Sequence, residues 1–202
     1  MITVVDYGMG NLRNVRRALE HLGCEVLVTP DPEAVRQATV VILPGVGAFG
    51  EAVARIDGLG LRGPILEHAA SGKPMLGICL GMQLLFQDSE ESPGAAGLGL
   101  IPGSIVRFRT TLVVPHIGWN DVLPVAPSTL LAPDGGCFYF VHSFHAGATP
   151  DAVGTTEYGV TFTSVVEKQN VFGVQFHPEK SQAAGIELLR RFAAFDKEKA
   201  QA

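Results

Sequence analysis

Short, mostly apolar runs alternate with helix-like segments through the first part of this chain. The runs occupy residues 2–5, 24–29, 39–43 and 74–79. Strands that are apolar at every position are typical of a parallel sheet with helices packed on both faces. The alternation therefore predicts an α/β fold built on a mostly parallel central sheet. In such a fold the functional loops lie at the carboxyl ends of the strands.

Several helices have recognisable ends in the sequence. Asn11 is a favoured N-cap residue, and apolar residues then recur at spacings of three and four up to Gly23, a typical C-terminal glycine. Asp31, followed by Pro32, marks the start of the next helix. Near the end of the chain, Ser181 is expected to cap the last helix.

The pattern changes after about Asp88. Many short β-like runs follow, of which 138–141 and 160–165 are the clearest. Because 202 residues fit one α/β domain and leave no room for a second catalytic one, we interpret these runs as a largely antiparallel extension. The predicted domain spans residues 1–202, with 196–202 as a frayed tail.

Composition and charge exclude several function classes. The net charge is −5 and no basic cluster is longer than two arginines, which argues against nucleic-acid binding. No apolar run reaches the roughly 18–20 residues that span a bilayer, and the N-terminus lacks the basic region of a signal peptide. The three cysteines fit neither a disulfide framework nor a zinc site. We therefore expect a cytoplasmic protein without membrane attachment, metal or cofactor.

A cysteine flanked by glycines stands where an apolar run meets a helix-like stretch. The segment reads Gly77-Ile78-Cys79-Leu80-Gly81. A reactive side chain between glycines at a strand-to-helix turn is the layout of a nucleophile elbow. The glycines permit a sharp turn, and a helix N-terminus favours the thiolate form of cysteine. The alternative is a buried structural cysteine at the end of a core strand.

A second motif supplies a base for this nucleophile. His177 follows a short apolar strand, and Glu179 comes two positions later with Pro178 between them. Residues i and i+2 of an extended chain project to the same side, so the glutamate can hold one ring nitrogen and leave the other free. A nucleophile, a base and a group that orients the base form a generalised catalytic triad. The alternative is a structural histidine bonded to its neighbour.

These two motifs together resemble the class I (triad) glutamine amidotransferases. Three further segments are similar to the glutaminase subunits of imidazole glycerol phosphate synthases: residues 6–11 (DYGMGN), 44–50 (PGVGAFG) and 115–120 (PHIGWN). The resemblance covers essentially the whole chain. It implies the flavodoxin-like fold of the class I glutaminases and a Cys-His-Glu triad.

The activity that the resemblance implies is hydrolysis of the side-chain amide of glutamine through a thioester on Cys79. The N–H group of Leu80, directly after the nucleophile, is a natural donor to the oxyanion of the tetrahedral intermediate. The resemblance supplies the second donor from the turn at Val46 and Gly47. It assigns glutamine binding to Gly47, Gln83, Glu91 and the backbone of His142, Ser143 and Phe144.

Other interpretations of nearby residues stay open. Gln83 could be an exposed helix glutamine, and Asp88 and Glu90 compete with Glu91 for the substrate ammonium group. The segment 44–47 lacks the lysine and hydroxyl residue of a phosphate-binding loop. Three further residues receive no role beyond solvation: Arg107, Arg109 and His116.

A separate subunit is expected to accept the ammonia. One α/β domain leaves no room for an acceptor site, and free ammonia is protonated in neutral water. The resemblance implies a (βα)8-barrel cyclase as heterodimeric partner, which makes imidazole glycerol phosphate and an aminoimidazole carboxamide ribotide in histidine biosynthesis. It places four residues at the interface: Trp119, Asn120, Tyr139 and Lys180. For Trp119 and Lys180 the alternatives are a core tryptophan and a solvated lysine.

Three other functions remain as alternatives. The chain could serve another triad amidotransferase, of the pyridoxal phosphate or anthranilate type. It could be a catalytically idle protein that keeps the fold for binding a partner. A cysteine hydrolase of similar fold is a further option, but it would not explain the segments 44–50 and 115–120.

Overall fold

The computed structural model describes the backbone of residues 1–199 and the side chains of residues 1–195. The frayed tail predicted for residues 196–202 lies outside these described residues, except that the backbone of the last helix continues to Lys199. In the described part of the chain, no helix combines the length and the apolar character that crossing a bilayer requires.

The first part of the chain forms the parallel half of a mixed sheet. Its strands, in the spatial order β2-β1-β3-β4, are β1 (Ile2–Val5), β2 (Val26–Thr29), β3 (Val40–Gly45) and β4 (Met75–Cys79). The helices that follow are α1 (Leu12–His21), α2 (Pro32–Gln37), α3 (Phe49–Gly58), α4 (Arg62–Ala70) and α5 (Leu80–Leu84). Each neighbouring pair of strands is parallel, as the unbroken apolar runs predicted.

The rest of the chain extends the same sheet. The added strands are β5 (Asp88–Ser89), β6 (Ser104–Arg107), β7 (His116–Pro124), β8 (Gly136–His142), β9 (Phe144–Ala146), β10 (Ala152–Glu157), β11 (Thr161–Lys168) and β12 (Val171–Val174). β12 pairs in parallel with β4 and antiparallel with β11, and the sheet continues through β10 and β7 to β8. A 3₁₀ turn (Pro178–Lys180) and α6 (Gln182–Lys199) follow. The predicted antiparallel extension is therefore confirmed.

Alternate residues of the inner strands enter two cores, one on each face of the sheet. Val41 and Leu43 of β3 pack in one core with residues of α2, α3 and α4. Val40 and Ile42 of the same strand pack in the other core with residues of α1 and α6. A strand that is buried on both faces needs an apolar side chain at every position, which explains the unbroken runs in the sequence.

The predicted helix caps agree with the structure only in part. α1 begins after Asn11, but the Asn11 side chain makes no capping hydrogen bond. Asp31 does cap α2, because its carboxylate accepts the N–H group two residues later at 3.0 Å. Ser181 precedes α6, but its hydroxyl group donates to the His177 carbonyl and accepts the Tyr139 N–H. Ser181 thus ties the helix start to neighbouring segments.

The carboxyl ends of β3, β4 and β12 lie side by side at one edge of the sheet. Gly45 pairs with Cys79, and Val174 pairs with Ile78. The segments beyond these strand ends therefore meet at one place, where parallel sheets usually carry their functional loops.

Candidate active site

The backbone at Cys79 has the strained geometry of a nucleophile elbow. Cys79 ends β4 with φ 55° and ψ −110°, a conformation that residues other than glycine rarely adopt. A Cβ atom at position 77 would lie 2.6 Å from the carbonyl oxygen of Gly81, and one at position 81 would collide with the carbonyl oxygen of Leu43. Both glycines are therefore required by the close approach of strand and helix backbones.

His177 and Glu179 form a buried pair beside this elbow. His177 Nδ1 lies 2.8 Å from Glu179 Oε1, and their side chains are 2% and 1% exposed. The predicted contact is present, but the backbone differs from the extended chain that was expected. β12 ends at Val174, and the 3₁₀ turn that starts at Pro178 brings the carboxylate back to the ring.

The electrostatics of His177 couple it to Cys79. Burial by itself would lower the pKa of His177, but the negative charges of Cys79 and Glu179 outweigh burial and raise it well above the usual value. Nε2 is buried and has no hydrogen-bond partner among the described residues, yet Cys79 is close enough for its charge to act on the ring. This arrangement favours the charged imidazolium form of His177.

A cleft of about 350 Å³ opens next to Cys79. It is lined by every residue that was predicted to hold the oxyanion or glutamine: Val46, Gly47, Leu80, Gln83, Glu91, His142, Ser143 and Phe144. Pro115 and Val141 complete the lining. Residues from distant parts of the sequence are thus brought together around the nucleophile.

The turn at Gly47 forms one wall of the cleft. Gly47 has φ 109°, which a residue with a side chain rarely adopts. Near this turn, the hydroxyl group of Tyr7 lies in the space that a Cβ atom at position 45 would occupy, which requires the glycine at that position. The Tyr7 hydroxyl group is buried. Burial is the main effect that raises its pKa, and the charge of Cys79 raises it further. Tyr7 belongs to segment 6–11, to which the sequence analysis assigned no site residue.

Gln83 and Gln175 connect the cleft to the nucleophile. Gln83 Nε2 donates to the Phe144 carbonyl at 3.0 Å and to Gln175 Oε1 at 3.1 Å. Gln175 Nε2 in turn donates to Cys79 Sγ at 3.8 Å. Gln175 was not predicted as a site residue, although it stands two residues before His177 in the same motif.

Glu91 is the acidic residue of its segment that faces the cleft. Its carboxylate accepts the N–H of Phe49, the first residue of α3, at 2.7 Å. Glu90 instead accepts hydrogen bonds from Arg107 and Arg109, and Asp88 is exposed. This hydrogen bond fixes the Glu91 carboxylate at the start of α3, beside the cleft.

The surface role expected for His116 is wrong. His116 is 2% exposed and stacks between the rings of Phe140 and Tyr158, with centroid distances of 4.8 Å and 4.0 Å. Its strand, β7, alternates between buried and exposed residues, and position 116 falls on the buried side. Arg107 and Arg109 are exposed, as predicted.

Three of the four predicted interface residues cluster on one exposed face. Trp119 is 48% exposed and packs edge-on against Tyr139, its partner across β7 and β8. The Lys180 ammonium lies 5.6 Å from the Tyr139 ring centroid. Trp119 is thus not a core residue. Asn120 lies on the opposite, half-buried side of β7, where its amide approaches His116 Nε2 at 3.3 Å.

The described residues offer no alternative centre of metal or disulfide chemistry. Within them, no group of three or more His, Cys, Asp or Glu side chains is placed to hold a metal ion. The three cysteines, Cys24, Cys79 and Cys137, are free thiols.

Comparison with known proteins agrees with this site. Residues 3–194 match the family model described as glutamine amidotransferase class-I. Imidazole glycerol phosphate synthase subunit HisH of Methanothermobacter thermautotrophicus is 47% identical over 95% of this chain and 97% of that protein. The subunit of the same name from Moorella thermoacetica is 50% identical over 95% of this chain and 93% of that protein.

Solved structures show the same fold at low sequence identity. A glutamine amidotransferase crystal structure superposes with a TM-score of 0.78 at 18% identity, covering 98% of this chain and 100% of that one. PurLQS from Thermotoga maritima gives a TM-score of 0.74 at 20% identity, covering 96% and 97%. Together with the family match and the HisH relatives, these findings show that the chain belongs to the class I glutamine amidotransferases, in the family of imidazole glycerol phosphate synthase subunit HisH.

Proposed function

We propose that this chain hydrolyses glutamine to glutamate and ammonia and passes the ammonia to a cyclase subunit. The observation that carries the proposal is the strained elbow of Cys79 next to the buried His177–Glu179 pair, at the mouth of a cleft. Family membership supports glutamine as the substrate. The exposed face that contains Trp119 supports a docked partner.

The first half of the reaction forms a thioester. The Cys79 thiolate attacks the side-chain amide carbon of glutamine, and the electron pair of the C=O bond moves onto oxygen. When the tetrahedral intermediate collapses, the C–N bond breaks and His177 Nε2 donates its proton to the departing ammonia. The hydrogen bond from Nδ1 to Glu179 orients the ring and favours its charged form during these steps.

The second half releases glutamate. His177, now neutral, takes a proton from water, and the resulting hydroxide attacks the thioester carbonyl carbon. The C–S bond then breaks and regenerates the Cys79 thiolate. The same two side chains thus serve both halves of the cycle, with His177 acting first as acid and then as base.

We assign stabilisation of the oxyanion to two backbone groups. The N–H of Leu80 is the first of α5 and follows the nucleophile directly. The peptide between Val46 and Gly47 would supply the second N–H, because a glycine at this position allows the peptide to rotate. Removal of one such donor typically costs about 3–4 kcal/mol of transition-state stabilisation. Alignment of this turn would therefore control turnover.

The cleft supplies complementary groups for the remainder of the substrate. Glu91 provides a negative charge for the α-ammonium group of glutamine. Gln83, Gly47 and the backbone of residues 142–144 provide polar contacts around the amide and the main chain of the substrate. We infer a cytoplasmic reaction, since the Cys79 thiolate needs a reducing compartment.

The partner is inferred from the family and from the exposed face. Ile117 and Trp119 project from β7 with 59% and 48% exposure, next to Tyr139 and Lys180. An exposed apolar patch of this kind is typical of a protein interface. We propose that a (βα)8-barrel cyclase docks here as a heterodimer and uses the ammonia to make imidazole glycerol phosphate and aminoimidazole carboxamide ribotide. The identity of the HisH relatives favours this acceptor over the pyridoxal phosphate and anthranilate pathways.

Reconstitution with the candidate cyclase tests this function. The complex should co-purify, and glutamine hydrolysis should accelerate when the cyclase binds its nucleotide ligand. Trp119→Ala or Lys180→Ala should reduce this acceleration more than it reduces glutamine binding, and a coupling of about 1–3 kcal/mol is usual for linked sites. High glutaminase activity from the lone chain, unchanged by cyclase and nucleotide, would refute the coupling. Lack of hydrolysis under every condition would favour an idle binding protein.

A further inference from the structure

A line of hydrogen bonds begins at β7, on the side opposite Trp119, and becomes buried at the two histidine rings. Asn120 Nδ2 lies 2.9 Å from the Glu157 carbonyl and 3.3 Å from His116 Nε2. His116 Nδ1 lies 3.0 Å from His142 Nε2. His142 Nδ1 lies 2.8 Å from the Phe144 carbonyl oxygen, in the wall of the cleft.

The line continues from this carbonyl group to the nucleophile. The Phe144 oxygen also accepts from Gln83, Gln83 donates to Gln175, and Gln175 donates to Cys79 Sγ. The connection therefore runs without a break from the outer sheet, through the wall of the cleft, to the reacting sulfur atom. The longest contacts are the bond to sulfur, at 3.8 Å, and the contact between Asn120 and His116, at 3.3 Å.

The partners fix the direction of the bonds between the rings. A carbonyl oxygen only accepts, so His142 must carry its proton on Nδ1. Neutral His142 then accepts at Nε2, so His116 must donate from Nδ1 and accept at its own Nε2. The amide of Asn120 supplies that last donor. A single tautomer of each ring thus satisfies every contact.

The surroundings keep both rings neutral. Burial lowers the pKa of His116 to about 4 and that of His142 to about 3. His116 stacks on Phe140 and Tyr158, and His142 packs against Phe108 and Phe162. Apolar side chains could fill such a site, whereas a buried imidazole is unfavourable unless its nitrogens are hydrogen-bonded. Packing alone therefore does not account for two histidines.

We propose that His116 and His142 are positioning residues. Their hydrogen bonds connect β7 to the Phe144 carbonyl and the Gln83 amide in the glutamine cleft. The opposite side of β7 carries the docking face. The inference rests on the proposed function, because it requires that docking of the cyclase shifts β7. A shift of β7 would be transmitted through the two rings to the cleft wall. The relay (Asn120, His116, His142 and the Phe144 carbonyl) would thus couple partner binding to the geometry at Cys79.

Three variants separate the parts of the relay. His116→Phe keeps an aromatic ring in the stack and removes the outer bonds. His142→Asn can keep a donor to the Phe144 carbonyl and removes the acceptor for His116. His142→Phe removes both bonds. His145→Phe is the matched control, because His145 is also buried and packs 4.5 Å from Phe108, but it bonds to the Ala146 carbonyl, outside the relay.

Two quantities are measured on the complex with the cyclase. The first is the stimulation ratio, which is glutamine turnover with the nucleotide divided by turnover without it. The second is the Kd of glutamine, measured calorimetrically in a Cys79→Ala background so that no turnover occurs. Thermal unfolding midpoints show that each variant is folded at the assay temperature.

The relay predicts a distinct result for each variant. His116→Phe should lower the stimulation ratio about 5-fold or more, which is the low end for linked sites, with little change in the Kd of glutamine. His142→Asn should lower the stimulation ratio by a similar factor. His142→Phe should also raise that Kd about 5- to 10-fold, as for one lost hydrogen bond. His145→Phe should leave both quantities near those of the parent protein. If the parent complex is stimulated normally and both His116→Phe and His142→Asn keep its stimulation ratio, the role of the relay is wrong. The proposed function would be unaffected by that result.

A spectroscopic measurement tests the relay without any turnover. In the ¹⁵N-histidine-labelled chain at pH 7, NMR should show both rings neutral and protonated on Nδ1, with the signals assigned by their loss in the two phenylalanine variants. Protonation on Nε2, or a charged ring at either position, would overturn the proposed direction. The NMR measurement does not depend on stimulation by the cyclase. If the parent complex shows no stimulation, the proposed function is wrong, and the NMR result still tests the direction of the hydrogen bonds.

Discussion

Replacement of Glu179 by glutamine isolates the contribution of charge to the triad. The carboxylate lies 2.8 Å from His177 Nδ1, and both side chains are almost fully buried. Glutamine has nearly the same size, and its oxygen can still accept from Nδ1. The substitution therefore removes the negative charge beside the ring with little change in packing.

The expected loss of turnover follows from hydrogen-bond energetics. A hydrogen bond to a charged group contributes about 1.5–3 kcal/mol, compared with about 1 kcal/mol for a neutral one. The difference of roughly 0.5–2 kcal/mol corresponds to about a 2- to 30-fold decrease in turnover. This loss should be smaller than that of His177→Ala or Cys79→Ala, which remove a reacting group.

The pH dependence should change in a definite direction. The pKa of His177 is raised in the folded protein, because the charges of Cys79 and Glu179 outweigh the effect of burial. Such a group stabilises the fold fully below its unfolded pKa, and this stabilisation is lost as pH rises through the folded pKa. Without the Glu179 charge the folded pKa falls. The alkaline limb of turnover and the alkaline loss of stability should therefore both move to lower pH.

Single-turnover glutamine hydrolysis over a range of pH measures these effects in the complex with cyclase. Glu187→Gln is a suitable control, since Glu187 forms exposed ion pairs with Arg190 and Arg191 on α6. The control should keep the parent profile. Glu179→Gln could instead keep full turnover and the same alkaline limb when chemistry limits the rate. In that case the charge of Glu179 would not contribute to catalysis, and Cys79 and His177 would be the only catalytic side chains of the proposed triad.

Other predictions concern the nucleophile, the elbow and the substrate cleft. A chloroketone analogue of glutamine should label Cys79 and spare the other two cysteines, as peptide mass spectrometry would show; labelling elsewhere with Cys79 unmodified would contradict the elbow assignment. Gly81→Ala should lower the free energy of unfolding by about 1–3 kcal/mol and nearly abolish turnover, because its Cβ collides with a β3 carbonyl. Gly58→Ala, where nothing lies within 4 Å of an added Cβ, should be neutral or stabilising in chemical denaturation. Glu91→Gln should raise the Kd of glutamine about 10-fold, whereas Glu90→Gln should not, and equal effects would remove Glu91 from the substrate site.

The inner strands of the parallel half were predictable because they are buried on both faces. Val40 to Leu43 alternate between two cores, so every position had to be apolar and the run was visible in the sequence. The elbow was predictable for a similar reason, since Gly77 and Gly81 leave space that backbone atoms occupy. The positive φ of Cys79 was not predictable, because it depends on how β4 and α5 pack together.

The errors came from residues whose environment is set by strands distant in the sequence. His116 was taken as a solvated residue, yet the pairing of β7 with β8 buries it beside His142. The same alternation along β7 separates Asn120 from Trp119, although the two are adjacent in the sequence. Gln175 was missed because its partners, Gln83 and Cys79, approach only when β12 lies next to β4.

The position of β12 also affects the order in which the catalytic groups become available during synthesis. His177 follows Cys79 by 98 residues (177 − 79), and β12 must enter between β4 and β11 before the two side chains can meet. At roughly 5–20 residues per second, a ribosome needs on the order of 5–20 s for that interval. A nascent chain in this interval has a thiol without a base and an unpaired edge on β4, which is a site for aggregation. Glutaminase activity can therefore begin only after His177 has been made, so chains that stop before it release no ammonia.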